Sequence, residues 1–370
     1  ITFTQTDWDA QLDAFYTAGQ SERLIGSVEI DGVVFDSVGI RYKGYSSASV
    51  TRVKNPFNLK LDYLIEGQNY NGIEKIKLSN VIQDPSFVRE TLTYEVARKY
   101  MPASKANYAN VYINNVLIGI YTNVESVEDD FLLNHFGSND YTFVKGNPVD
   151  LDLTGENANL GNSPGTNVAD YDSLYVLKST TGWDKLYNLI DTLNNNSDNI
   201  ESVLNVDRTL WMHALNYSMI NFDSYVGYAQ NYYLYEDDNG RFNPILWDLN
   251  MSFASYRLAD ASIHYNGFTI QEAKEMDPLL HHNNISIYPR PLMRNLFSND
   301  RYRKQYLAHI RTIMEENFDN GDYAIRAQAM QTLIDADVAS DTNKFYSYAD
   351  FQDNLNSTVS DFVDYPGIIE

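Results

Sequence analysis

The chain has 370 residues, a hydrophobic share of 44% and a mean hydropathy of −0.40, enough for a sizeable core in one large domain or two lobes. Its 50 acidic residues outweigh 27 basic ones for a net charge of −23, which argues against nucleic acid or an anionic membrane surface as partner. The absence of cysteine rules out disulfides, zinc–thiolate sites and a thiol nucleophile, and no apolar run reaches the length of a membrane span.

Residues 7–18 carry Trp8, Leu12 and Phe15 at helical spacing, with Gly19 as a stop. LIGSVEI, Asp31-Gly32 and VVFDSVGIRYKG (24–44) read as strand, tight turn, strand. NPFNLKLDY (55–63) and EKIKLSN (74–80) read as two more strands. Asp84-Pro85-Ser86 opens a helix over 87–100, with Asp84 as cap and Pro85 in the first turn. Residues 109–125 form a hairpin around Asn114-Asn115, and 127–136 return to helix. Residues 146–170, rich in Asn, Gly and Asp, read as a boundary loop. Helices follow at 183–195 and 208–222. A hairpin over 231–250 turns at Asp238-Asn239-Gly240, and helices return at 291–318 and about 322–337. The expected fold is α+β: a strand-rich lobe (1–145), a helix-rich lobe (146–370) and a cleft between them.

Three residues stand out for chemistry. Asp223 closes the helix at 208–222, Asn231 begins a strand and Asp248 ends its hairpin partner. A hairpin brings its strand ends together, so two carboxylates and an amide oxygen converge, a donor set for Mg²⁺ or Mn²⁺. One carboxylate could instead accept the proton of an attacking hydroxyl. A turn cap and a solvated strand-end acid are the plainer reading. Against it, Asp248 sits in an apolar run (Ile245, Leu246, Trp247, Leu249, Met251, Phe253) where a charge needs a partner.

A second group is Lys43, Lys60, Arg89 and Glu90. Lys43 lies in RYKGYSS, where a strand enters a Gly/Ser turn able to offer N–H groups to phosphate. A strand lysine (Lys60) paired with a helix glutamate (Glu90) is the arrangement kinases use on phosphates. Scattered surface ion pairs would give the same residues. Asp150-Leu-Asp152-Leu-Thr154-Gly155 begins like a calcium loop but has Gly161 where the twelfth-position acid belongs. Calcium near Asp150 and Asp152 is therefore a minor expectation. His281-His282 lacks the spacing of a zinc helix, and His213 reads as a core residue.

The order of segments resembles the CotH kinase family. The stretches that carry it are VGIRYKGYSS, NPFNLKLDY, KIKLSNVIQDPSFVRETLTYEVAR, NVYINNVLIGIYTNVESVEDDFL, NYYLYEDDNGRFNPILWDLNMSF and RPLMRNLFSNDRYRKQYLAHI. The resemblance implies a divergent protein-kinase-like two-lobe fold with a β-hairpin at the cleft. It implies Asp223 as the catalytic aspartate, and Asp248 and Asn231 as metal ligands. It implies Lys60 and Glu90 as the phosphate-positioning pair, Lys43 and Arg89 as further phosphate contacts, and Asn123–Val127, with Glu125, near the adenine. Where other members continue the WD-x-N segment with Phe-Gly, this chain has Phe253-Ala254.

The leading expectation is thus a metal-dependent kinase passing the ATP γ-phosphate to Ser or Thr of a basic coat or extracellular protein. The alternative is a non-catalytic surface module binding glycan or protein through its 29 tyrosines. The chain opens at Ile1 without a charged and apolar leader, which fits a bacterial secreted, cell-surface or spore-coat protein whose signal peptide lies upstream.

Overall fold

The computed structural model describes residues 1–19, 21–148, 153, 157–283 and 288–370. Asp150 and Asp152 lie outside the described residues. The first elements are α1 (Trp8–Thr17), β1 (Leu24–Ile30), β2 (Val33–Tyr42), β3 (Phe57–Lys60), β4 (Lys75–Ser79), α2 (Arg89–Ala97), β5 (Ala106–Ile113), β6 (Val116–Glu125) and α3 (Asp129–Phe136). Then come β7 (Phe143–Gly146), β8 (Tyr175–Leu177), α4 (Trp183–Asn195), α5 (Val206–Ser218), β9 (Tyr232–Glu236) and β10 (Phe242–Leu246). The chain continues through α6 (Ile270–Lys274), α7 (Leu280–Asn283), α8 (Pro291–Ser298), α9 (Asp300–Ile313), α10 (Asp322–Ser340), α11 (Tyr348–Asp353), β11 (Val359–Ser360) and β12 (Asp364–Tyr365).

The fold is mixed α and β. The first sheet has six antiparallel strands in the order β1-β2-β3-β4-β6-β5, and the second has four in the order β10-β9-β7-β8. Tight turns set the registers. Asp31 and Gly32 both take positive φ (50° and 82°), as do Asn114 and Asn115 (48° and 66°). These are the two-residue turns whose twist matches antiparallel strands.

α1 covers one face of the first sheet, where Leu12 joins Val28, Phe35, Val38, Ile40 and Leu59. The largest core runs from α2 and α3 through the second sheet to α4, α5, α8 and α9. The chain then returns: Ile334 and Val338 of α10 and Phe351 of α11 pack on Phe87 and Ile120 beside the first sheet. A fully buried ion pair fixes that return. Lys54 Nζ lies 2.5 Å from Asp341 Oδ2, and Asp341 also accepts the Ile120 N–H at 3.1 Å. Gly119 (φ 149°) permits this approach, because a Cβ there would stand 2.3 Å from the Asp341 carboxylate.

Several sequence boundaries move. The helix expected over 87–100 begins at Arg89. Asp84 still caps it, but across a turn, accepting the Arg89 N–H at 2.8 Å. The expected helix 291–318 is two helices, broken where Asn299 turns extended and caps α9 through the Arg301 N–H. α5 stops at Ser218 rather than Phe222, because Ile220 adopts φ 42°, where a β-branched residue cannot continue a helix.

Candidate functional site

Asp223 therefore lies beyond α5, in the loop 219–231 that leads to β9, and not at a helix end. Asp248 follows β10 by two residues in a second loop. The two loops are joined: the Phe253 N–H donates to the Met219 carbonyl at 2.6 Å and the Ala254 N–H to the Ile220 carbonyl at 3.3 Å. This zipper brings the acids to one place. Ile220, Ala229, Asn231, Asp248, Phe253 and Ala254 all have positive φ. Non-glycine residues held there cost about 1–3 kcal/mol each and concentrate where function demands a particular geometry.

The loops floor a cavity of about 560 Å³. Lys43, Ser79, Glu90, Asp223, Asn231 and Asp248 all line it. Lys43 arrives at the end of β2, Ser79 at the end of β4, and Glu90 in the first turn of α2. The Lys43 ammonium donates to Ser79 Oγ at 3.1 Å, and the Lys43 charge favours the ionised form of Glu90. Asp223 Oδ1 accepts from Gln230 Nε2 at 2.7 Å, and its backbone carbonyl accepts from Asn231 Nδ2 at 2.9 Å. The Asn231 amide oxygen has no hydrogen bond among the described residues.

Negative charge is crowded here. Burial, and then the nearby Asp248 charge, push Asp223 up to about 6. The same two causes push Glu90 up to about 8. Acids raised by a neighbouring carboxylate in this way call for a cation. Among the described residues no group of three or more His, Cys, Asp or Glu side chains is placed to hold a metal unaided. The donors present, Asp248 and the Asn231 amide oxygen, suit a hard cation that takes its remaining ligands from water or phosphate, as Mg²⁺ does.

The other expected contacts lie elsewhere. β3 starts at the cavity and runs away from it, so Lys60 ends at the far side, 3.8 Å from Asp62. It does not meet Glu90. Arg89 is fully buried and does not line the cavity. It pairs with Asp84 at 2.6 Å and donates to Asn354 Oδ1 at 2.9 Å and to the Pro366 carbonyl. The Glu125 carboxylate accepts the Lys105 N–H at 2.8 Å, and Glu125 lines a separate small pocket with Lys75 and Glu128. Of its strand, Thr122 reaches the cavity.

One cation went unread in the sequence. Lys77 is 8% exposed, sits over the Trp247 ring at 4.2 Å, and is pushed down to about 7 by burial. It shares a strand face with Ser79 two residues on, so the alternation of KIKLS carries the signal. Lys145 of β7, also held down by burial, interacts favourably with Asp248. Lys145 thus sets positive charge near Asp248.

An α+β protein with a six-stranded and a four-stranded antiparallel sheet and a cavity lined by acids, an amide and a lysine is the class this defines. The chain belongs to the CotH kinase protein family, which it matches over residues 40–366. No curated protein matches it in sequence. Among the described residues no helix is long and apolar enough to cross a membrane.

Proposed function

We propose that the protein is a metal-dependent phosphotransferase of kinase-like, two-lobe architecture, dividing near residue 146, that passes the ATP γ-phosphate to a Ser or Thr hydroxyl. The observation that carries this reading is the convergence of Lys43, Glu90, Asp223, Asn231 and Asp248 on one cavity from four separate segments. Asp248 and Asn231 would hold Mg²⁺ or Mn²⁺, which when bound supplies positive charge to phosphate oxygens. Lys43 offsets phosphate charge, and the Glu90 carboxylate attracts the Lys43 ammonium, which Ser79 Oγ also holds. Lys145 adds positive charge near Asp248.

Asp223 takes the acceptor proton. The acceptor oxygen forms a bond to the γ-phosphorus as the bond from that phosphorus to the β–γ bridging oxygen breaks, and ADP leaves with the electron pair. Gln230 holds the Asp223 carboxylate in place, and its raised pKa suits a base that works near neutral pH. The acceptor we assign is a basic protein of the spore coat or the extracellular space. The net charge of −23 favours its capture at low salt.

The alternative, a tyrosine-rich binding face, would rest on the exposed Tyr45, Tyr63, Tyr112, Tyr141 and Tyr265, since Tyr94, Tyr121, Tyr171, Tyr175, Tyr217 and Tyr225, among others, are buried. Thermal unfolding with ATP and Mn²⁺ tests the proposal: a rise in Tm supports it, and an unchanged Tm at millimolar nucleotide contradicts it.

A further inference from the structure

Three exposed apolar side chains from distant segments stand on the rim of this cavity. Tyr45, in the loop after β2, is 88% exposed; Leu258, in the loop after β10, 56%; and Phe362, at the tip between β11 and β12, 86%. A lone exposed apolar residue is ordinary, but three converging on the mouth of a polar cleft mark a contact surface.

The support beneath them is fixed. The Arg257 guanidinium donates to the Asp364 carbonyl at 2.6 Å and to the Ala254 carbonyl, tying the β11–β12 hairpin to the loop that carries Asp248. From the other side, Arg89 donates to the Pro366 carbonyl and Asn354 Nδ2 to the Tyr365 carbonyl at 2.9 Å. Phe362 is therefore an exposed ring on an anchored hairpin. It is flanked by Asp361 and Asp364, both exposed. Leu258 lies two residues from Tyr256, whose hydroxyl feels the Asp223 charge. The apolar rim thus continues to the proposed base.

We infer that this rim docks the acceptor polypeptide, taking an apolar side chain against Phe362 and Leu258 while neighbouring basic residues face Asp361 and Asp364. The choice of occupant rests on the phosphotransferase reading and on the charge of the tip. Rings this exposed cannot enclose an adenine, which binds in a walled pocket, whereas they can meet an extended segment crossing the mouth.

The test is direct binding, read by fluorescence anisotropy with the full chain. The probe is a short labelled peptide with one serine, one nearby leucine and flanking lysines. Phe362→Ala removes a side chain that supports no core, so folding is not at stake. It should weaken the peptide about tenfold. A peptide with leucine replaced by alanine should bind both proteins equally weakly. Asp361→Lys should weaken the lysine peptide and reduce its salt dependence. The Tm rise with ATP and Mn²⁺ should be the same in wild type and Phe362→Ala. Equal peptide binding by wild type and Phe362→Ala would overturn the inference. So would a loss of the nucleotide shift in that variant, which would place the ring over ATP instead. If the wild type transfers no phosphate, the proposed function fails, yet peptide binding still decides the docking surface.

Discussion

The backbone N–H of Asp248 donates to the hydroxyl of Tyr94, 3.1 Å away and 154 residues earlier in the chain. Tyr94 is fully buried on α2, one helical turn beyond Glu90. The bond therefore ties the helix that carries one acid to the loop that carries another.

Tyr94→Phe keeps the ring but leaves the Asp248 N–H without its partner. The expected cost is about 1–3 kcal/mol by urea denaturation, together with a smaller Tm rise with ATP and Mn²⁺. Unchanged values for both would show that the bond positions nothing.

Lys43 and Lys60 separate cleanly. Lys43 lines the cavity, whereas Lys60 is 34% exposed at the far end of β3. Lys43→Ala should abolish most of the nucleotide-dependent Tm rise and Lys60→Ala should leave it intact. The reverse pattern would restore the pairing of Lys60 with Glu90 expected from the sequence.

Asp341→Ala should destabilise the protein by about 3–5 kcal/mol, because it strands the buried Lys54 ammonium. Lys54→Met in the same background should recover part of the loss. Equilibrium urea titration reads both, and additive losses would contradict the pairing.

Acid should weaken the fold through two histidines. Burial pushes His213 down to about 3, and pushes His281 down to about 4 against the opposing pull of Asp260. Both stay neutral when folded, while the unfolded chain takes up protons below about 6.5. Their contribution is whole above that pH and is lost progressively as pH falls toward 4 and 3. For His213 the loss is on the order of 2 kcal/mol at about pH 5. His213→Phe should flatten the urea midpoint between pH 7 and about pH 5. A midpoint that rises on acidification would contradict the sign.

Much of the fold was legible because it rests on local chemistry. Asp31-Gly32, Asn114-Asn115 and Gly240 announce their turns, and α4 spans the expected 183–195. β7 and β8 were missed, since strands of four and three residues beside an Asn-rich loop carry no periodicity of their own. The site was legible in part. Hairpin logic brings Asn231 and Asp248 together, but the sequence does not reveal that β3 runs away from the cavity and β4 toward it. That direction decides Lys60 against Lys43 and hides Lys77. Arg89 looked available in sequence, whereas its partners Asn354 and Pro366 come from a tail whose return no local pattern shows.

The most direct measurement is transfer of a labelled γ-phosphate from ATP, with Mn²⁺, to a lysine-rich serine peptide by wild type, Asp223→Asn and Asp248→Ala. The expected result is labelling by wild type, a drop of about 10²–10⁴-fold in Asp223→Asn with its nucleotide Tm rise retained, and loss of both in Asp248→Ala. Full transfer by either variant, or none by wild type, would contradict the phosphotransferase reading.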